Sequence, residues 1–175
     1  MTMLSTDAED CASPPLPSGL RGQRSRIRPA TVADIPAVLR LIAPGVAAGR
    51  VLPRTPRAIA TTLRDVLLVE RGGQMVGVGW AGLIEDGLAE VKALEAPLQA
   101  DRDLLLTHLL DGLVEMGAAS VLMMTDAPDA FVPHGFVPTQ AQQHPSKWQG
   151  QCLRCPRQPM CCLEAMQKSL GPVLH

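Results

Sequence analysis

A chain of 175 residues is long enough for one domain with a sizeable core. Apolar residues make up 46% of it but aromatics only 2%, with no tyrosine, so Leu, Val, Ala and Met must build that core and one common general acid is missing. The net charge of −1 supplies no field for nucleic acid or a membrane surface, and the lack of a long apolar run or a basic-then-apolar leader points to the cytoplasm.

The first 25 residues, rich in Ser, Pro and Gly and without periodicity, read as a mobile arm. Arg21, Arg24, Arg26 and Arg28 then read as a solvated leader into a first strand at "RIRPA", with a nucleic-acid arm as the alternative. Thr31 with Asp34 gives a capping signal before a helix carrying Ile35, Val38, Leu39 and Ile42, which Pro44-Gly45 should end. A second helix is expected from Pro56 to Arg64. Two apolar runs joined by Gly72-Gly73 form the strongest hairpin signal in the chain. "LAEVKAL" is a third strand of that group, and the turn "EAPLQ" leads into a long helix with Leu106, Leu109, Leu110 and Leu113 at helical spacing, stopping at Gly117. "SVLMMT" reads as a buried strand, "PDAFVPH" as a short helical turn and "GFVPT" as the start of another strand. This order is that of an α/β (α+β) chain around one mixed sheet flanked by helices.

A strand feeding a helix start is a place to hold a phosphate, because free backbone N–H groups and the helix dipole favour an anion. Here the turn has no glycine and sets Asp101 and Asp103 where the anion would sit. They are expected to repel it, so that replacement by Asn would strengthen binding; helix capping and dipole pairing explain the same residues without a ligand.

Four of the five cysteines crowd into "CLRCPRQPMCC" at 152–162. Cys152, Cys155 and Cys161 have a spacing that a tetrahedral zinc accepts, with His144 as an alternative ligand. Adjacent Cys161 and Cys162 rarely reach one metal together, and the competing reading is free thiols buried by Met160 and Met166.

"IRPATVADIPAVLRLIAP", "VLPR" at 51–54, "LAEVKAL" at 88–94, "HGF" at 134–136 and "W-x-x-x-C-L-R-C-P" with "C-x-x-x-A-M" from Trp148 to Met166 resemble the GNAT superfamily of acetyl-CoA-dependent N-acetyltransferases. Within it the chain is most similar to the short N-acetylglutamate synthase type, of the arginine-biosynthesis kind. The resemblance implies a single GNAT-like domain over 26–150, preceded by the arm 1–25 and followed by a Cys-rich segment 151–175 packing on it. It implies acetyl-CoA as cosubstrate, held near Leu94, Ala96, Arg102, Asp103 and Leu104, with the backbone near Leu94 as oxyanion donor. Glu90 is the candidate general base, acting through water, and Arg54 and Lys92 would read the carboxylates of a small acidic amino acid. Strand alternation puts Glu90 and Lys92 on one face, where they would equally form a plain charge pair. His108, His134 and Trp80 are expected to be a helix-boundary residue, a turn residue and a core plug.

Two departures stand out. The superfamily's Gln/Arg-x-x-Gly-x-Gly/Ala loop is replaced by the glycine-free "LQADRD", and Phe131 stands where relatives often place a tyrosine acid. Weak acetyl-CoA binding and low activity follow, and the alternative is a GNAT-fold binding or assembly module without catalysis. Partners expected are acetyl-CoA and the amino acid, with no nucleic acid and no membrane, and a homodimer as one state open to the chain.

Overall fold

The computed structural model describes residues 16–171, and its centre is an antiparallel meander built on the Gly72–Gly73 hairpin. Strands β1 (Arg26–Pro29), β2 (Val66–Arg71), β3 (Gln74–Glu85) and β4 (Leu88–Glu95) pair in sequence order, and β4 then pairs in parallel with β5 (Ser120–Thr125). Beyond β5 the order is β7 (Glu164–Ser169) and then β6 (Val137–Thr139), so the last strand is inserted between two earlier ones. The Cys-rich tail therefore does more than pack on the domain, because its end completes the sheet.

Helices α1 (Ile35–Ala47), α2 (Pro56–Ala60), α3 (Gln99–Glu115) and α4 (Pro145–Gly150) surround this sheet. Leu106, Leu109 and Leu113 of α3 join Val121, Met123, Phe136 and Met166 in one apolar cluster. Val38 and Ile42 of α1 join Ile59, Val66, Val78 and Trp80 in another. Two methionines and a single buried phenylalanine fill space that larger aromatics would take in a more aromatic chain.

Several expectations are corrected. Helix α1 passes through Pro44 and Gly45 to Ala47, because Gly45 lets the helix lie against Glu95; a Cβ there would sit 2.4 Å from Glu95 Oε1. Helix α2 stops at Ala60, and a separate 3-10 turn covers Leu63–Asp65. The arm is not loose throughout: Leu16 and Leu20 are buried with Val69, Val76, Ala96 and Leu105. Its first 15 residues, including Cys11, lie outside the described residues. The Thr31–Asp34 capping box forms as expected, and Asp34 also takes two hydrogen bonds from Arg28, at 2.8 and 2.7 Å.

Among the described residues no helix is long and apolar enough to cross a membrane.

Candidate functional site

Strands β4 and β5 pair only from Leu88–Ser120 to Val91–Met123, although β4 continues to Glu95 and β5 to Thr125. Their ends diverge, and a cleft of about 370 Å³ opens between them. Opposite β3, the register jumps from Trp80–Ala93 to Ala81–Val91, leaving Lys92 as the extra residue of a bulge. A bulge bends its strand and re-aims side chains, and the simple alternation expected for Glu90 and Lys92 breaks here.

The walls of this cleft include Leu94, Met123, Ala127, Ala130 and Phe131, and at one end lie Gln99 and Arg102 of α3. No side chain caps the start of α3, so the positive end of its dipole lies uncapped beside Gln99 and Arg102 at that end of the cleft. Arg102 folds back over the turn, donating to the Ala96 carbonyl at 2.6 Å and to Gln99 Oε1 at 2.6 Å. The cleft also carries Arg50, Lys92, Glu95 and Asp126, so the apolar walls of this slot suit an apolar arm while the helix start and Arg102 at one end suit an anion.

Asp101 does not face this slot. Its carboxylate is buried, takes two hydrogen bonds from Arg71 at 3.1 and 3.0 Å, and takes a third from Ser25 at 2.5 Å. The expected repulsion from Asp101 is thus corrected: helical rotation turns it towards β2 and the segment before β1. Asp103 is half-exposed and lies between Gln99 Nε2 at 2.7 Å and His134 Nε2 at 3.0 Å. Of the expected cofactor residues, Leu94 and Arg102 line the cleft, whereas Ala96, Asp103 and Leu104 do not; Ala96 contributes its carbonyl to Arg102 and its side chain to the core.

A second cavity, of about 420 Å³, adjoins the first, and the two share Arg50, Val91, Lys92 and Met124. Its floor carries Glu90, which is 4% exposed. The partner of Glu90 is not Lys92 but Lys147 of α4, itself 6% exposed, whose ammonium donates to Glu90 Oε1. Gln151 completes the group: its amide donates to Glu90 Oε2 at 3.2 Å and its carbonyl accepts from Lys147 at 3.1 Å. In the sequence, only the i, i+4 spacing of Lys147 and Gln151 just before the cysteines marks this pair.

The same cavity is lined by Arg54, Lys92 and Arg157, none of which forms a salt bridge among the described residues. Arg54 lies over the Trp80 ring, 5.2 Å from its centroid, so Trp80 is a core residue that also serves as a platform. Arg157 reaches from the tail across to Gly49, whose positive φ of 81° and missing Cβ make room for it. Arg50, by contrast, is engaged by Glu95 at 3.2 Å and faces Asp126 at 3.7 Å. The cavity therefore offers these three cationic groups together with the neutralised Glu90 and the exposed Glu164.

No group of three or more His, Cys, Asp and Glu side chains among the described residues could hold a metal ion. The zinc expectation for Cys152, Cys155 and Cys161 is left without support, and His144 turns instead to Thr139, 3.4 Å away. The buried-thiol reading holds only in part: Cys152 and Cys155 are half-buried free thiols, whereas Cys161 and Cys162 are exposed and Met160 is 84% exposed. His108 is exposed on α3, with Nδ1 2.9 Å from the Leu104 carbonyl.

No family model matches the chain. It is 28% identical over 149 residues to an uncharacterized N-acetyltransferase of Chlorobaculum tepidum, covering 82% of this chain and 96% of that one. N-acetylglutamate synthase from Neisseria gonorrhoeae, solved with coenzyme A and N-acetyl-glutamate, superposes with a TM-score of 0.71 at 19% identity; the match covers 85% of this chain and 35% of that one. This chain thus spans about a third of the synthase. The PaiA N-acetyltransferase of Thermoplasma acidophilum, solved with coenzyme A, gives a TM-score of 0.59 at 11% identity over 83% of this chain and 99% of that one. By these superpositions, and by one on a GNAT-family acetyltransferase of Staphylococcus aureus at a TM-score of 0.66 and 11% identity over 85% of this chain and 100% of that one, the chain has the GNAT fold.

Proposed function

We propose that the chain is an acetyl-CoA-dependent N-acetyltransferase whose acceptor is a small acidic amino acid of the glutamate type. The observation that carries this reading is the junction of the two cavities at Val91, Lys92 and Met124. One cavity suits a long apolar arm with an anionic end, the other is cationic, and their contents would meet over the bulge of β4.

Acetyl-CoA would supply the activated acetyl thioester; Leu94 and Phe131 would flank its arm, and the start of α3 with Arg102 would face its phosphates. The chain's own residues bind and orient the acceptor. Arg54, Lys92 and Arg157 attract its carboxylates, which leaves the amine free to turn towards Glu90. Glu90 is the proton acceptor for that amine, directly or through one water. Lys147 and Gln151 hold its carboxylate in place, so that the base is positioned before the acceptor arrives. Phe131 brings no proton to the cleft, so a tyrosine-like acid step is absent at that position.

A second reading, a GNAT-fold binding module without turnover, is favoured by Phe131 and by the glycine-free turn before α3. A thiol-release assay with acetyl-CoA and a panel of amines separates the two. Glutamate-dependent release of coenzyme A is the expected result. A preference for polyamines or peptide lysines would overturn the acceptor, and binding of acetyl-CoA without release to any amine would establish the second reading.

A further inference from the structure

The tail between α4 and β7 is built from successive three-residue turns. The Cys155 amide donates to the Cys152 carbonyl at 3.1 Å, that of Gln158 to Cys155 at 3.0 Å, and that of Cys161 to Gln158 at 3.3 Å. Cys155 and Cys161 leave their turns with extended backbone, and Cys152, Cys155, Gln158 and Cys161 all line the cationic cavity. The thiols are free, and neither the core nor the proposed transfer uses them.

We propose that Cys152 and Cys155 form a peroxide-oxidisable dithiol in the wall of the acceptor cavity. The hydrogen-bonded turn keeps the two Cα atoms within about 7 Å, close to the span a disulfide needs, about 4.4–6.8 Å. Both residues line the cavity, so the bridge would form in its wall.

The two thiols take different roles. Burial pushes the Cys152 thiol up from its ordinary value, against the downward pull of the Lys147 charge. In this proposal Cys155 meets the oxidant, and Cys152, whose thiolate burial disfavours, resolves it. The Cys155 thiolate attacks one peroxide oxygen; an S–O bond forms, the O–O bond breaks, and with one proton taken up a water leaves behind a sulfenic acid. Cys152 sulfur then attacks Cys155 sulfur; the S–S bond forms, the S–O bond breaks, and a second water carries off the thiol proton. Two electrons pass from the thiols to the peroxide.

The position gives the bridge a consequence. Cys152 directly follows Gln151, whose amide holds Glu90, so fixing the turn restricts the residue that orients the carboxylate. Weaker acceptor binding in the oxidised protein is expected, and that part alone rests on the acceptor reading above.

The test uses the full chain treated with hydrogen peroxide and then titrated for thiols in denaturant. The protein should lose two of its five thiols, peptide mapping should join Cys152 to Cys155, and dithiothreitol should restore the full titre. In Cys152→Ser the same treatment should leave a dimedone-reactive Cys155. An unchanged titre, or a bridge mapped to Cys161, Cys162 or another chain, overturns the proposal. Glutamate present during oxidation should slow bridge formation severalfold; a bridge that forms at the same rate with and without glutamate supports the dithiol and counts against the acceptor reading.

Discussion

Arg71 and Asp101 face each other through two parallel hydrogen bonds, Nε to Oδ2 at 3.1 Å and Nη2 to Oδ1 at 3.0 Å, with both side chains buried. Arg71 also donates to the carbonyls of Leu20 and Gln23, and Ser25 donates to the same aspartate. One ion pair thus ties the segment before β1, the end of β2 and the first turn of α3 together.

That geometry reverses what the sequence suggests for Asp101→Asn. The amide cannot balance the buried guanidinium, and breaking a buried pair in this way costs roughly 3–5 kcal/mol. The expected outcome is a large fall in the urea midpoint with no gain in acetyl-CoA affinity. Asp103→Asn, on a half-exposed carboxylate, should cost less than about 1 kcal/mol. Parallel denaturation and calorimetric titration of the two variants checks this; tighter acetyl-CoA binding by Asp101→Asn would show that the carboxylate does face the ligand.

A double-mutant cycle on Glu90 and Lys147 tests the buried pair in the acceptor cavity. Lys147→Met leaves Glu90 charged and unpaired apart from Gln151, so a loss of roughly 3–5 kcal/mol is expected. Adding Glu90→Gln to it should recover about half of that loss, because no buried charge then remains. Both Glu90→Gln and the double variant should lack turnover even where they are folded. Strictly additive stability changes would mean that the two side chains do not interact in solution.

How far these residues could be read from the sequence depended on whether their role is local. The hairpin at Gly72–Gly73, the Thr31–Asp34 cap and the strand at "SVLMMT" follow from neighbours a few residues apart, and all three form. Glu90 was legible as a charge in an apolar strand, but its partner lies 57 positions later on a helix too short to show a clear period. The bulge at Lys92 left no trace either, since "VKAL" has no glycine or proline to mark it. Asp101 was misread because an acidic residue in a first turn has a sufficient local explanation, and only the fold brings Arg71 to it. Strand β7 was hidden because "EAMQKS" lies in the sheet with only Ala165 and Met166 buried, so its alternation is weak.

Acid should remove a different contribution. Arg28 and the Thr31 amide and hydroxyl hold the Asp34 carboxyl well below the usual carboxylate range. A group depressed in the folded state stabilises it fully above its unfolded value, about 3.9, and that stability is lost as pH falls below this towards the folded value. Asp34→Asn should therefore cost roughly 1–3 kcal/mol at pH 7, with the difference from the unmodified protein shrinking below about pH 4. Urea midpoints measured from pH 7 down to pH 3 provide the check. A constant difference across that range would show that the loss is not linked to the carboxylate's ionisation.

Arg54 offers the most direct test of acceptor recognition, because its guanidinium is stacked over Trp80 and forms no salt bridge among the described residues. Removing a charged hydrogen-bond donor to a carboxylate costs roughly 1.5–3 kcal/mol, which corresponds to about a 10- to 150-fold rise in the KM for glutamate. Arg54→Ala should show that rise at saturating acetyl-CoA, while the KM for acetyl-CoA should change little, since Arg54 lines only the cationic cavity. Arg54→Lys keeps the charge but loses the planar fork and the fit over Trp80, so an intermediate value is expected. Initial rates with each substrate varied in turn decide the matter. An unchanged glutamate KM in Arg54→Ala, or equal effects on both substrates, would move carboxylate recognition to Lys92 and Arg157.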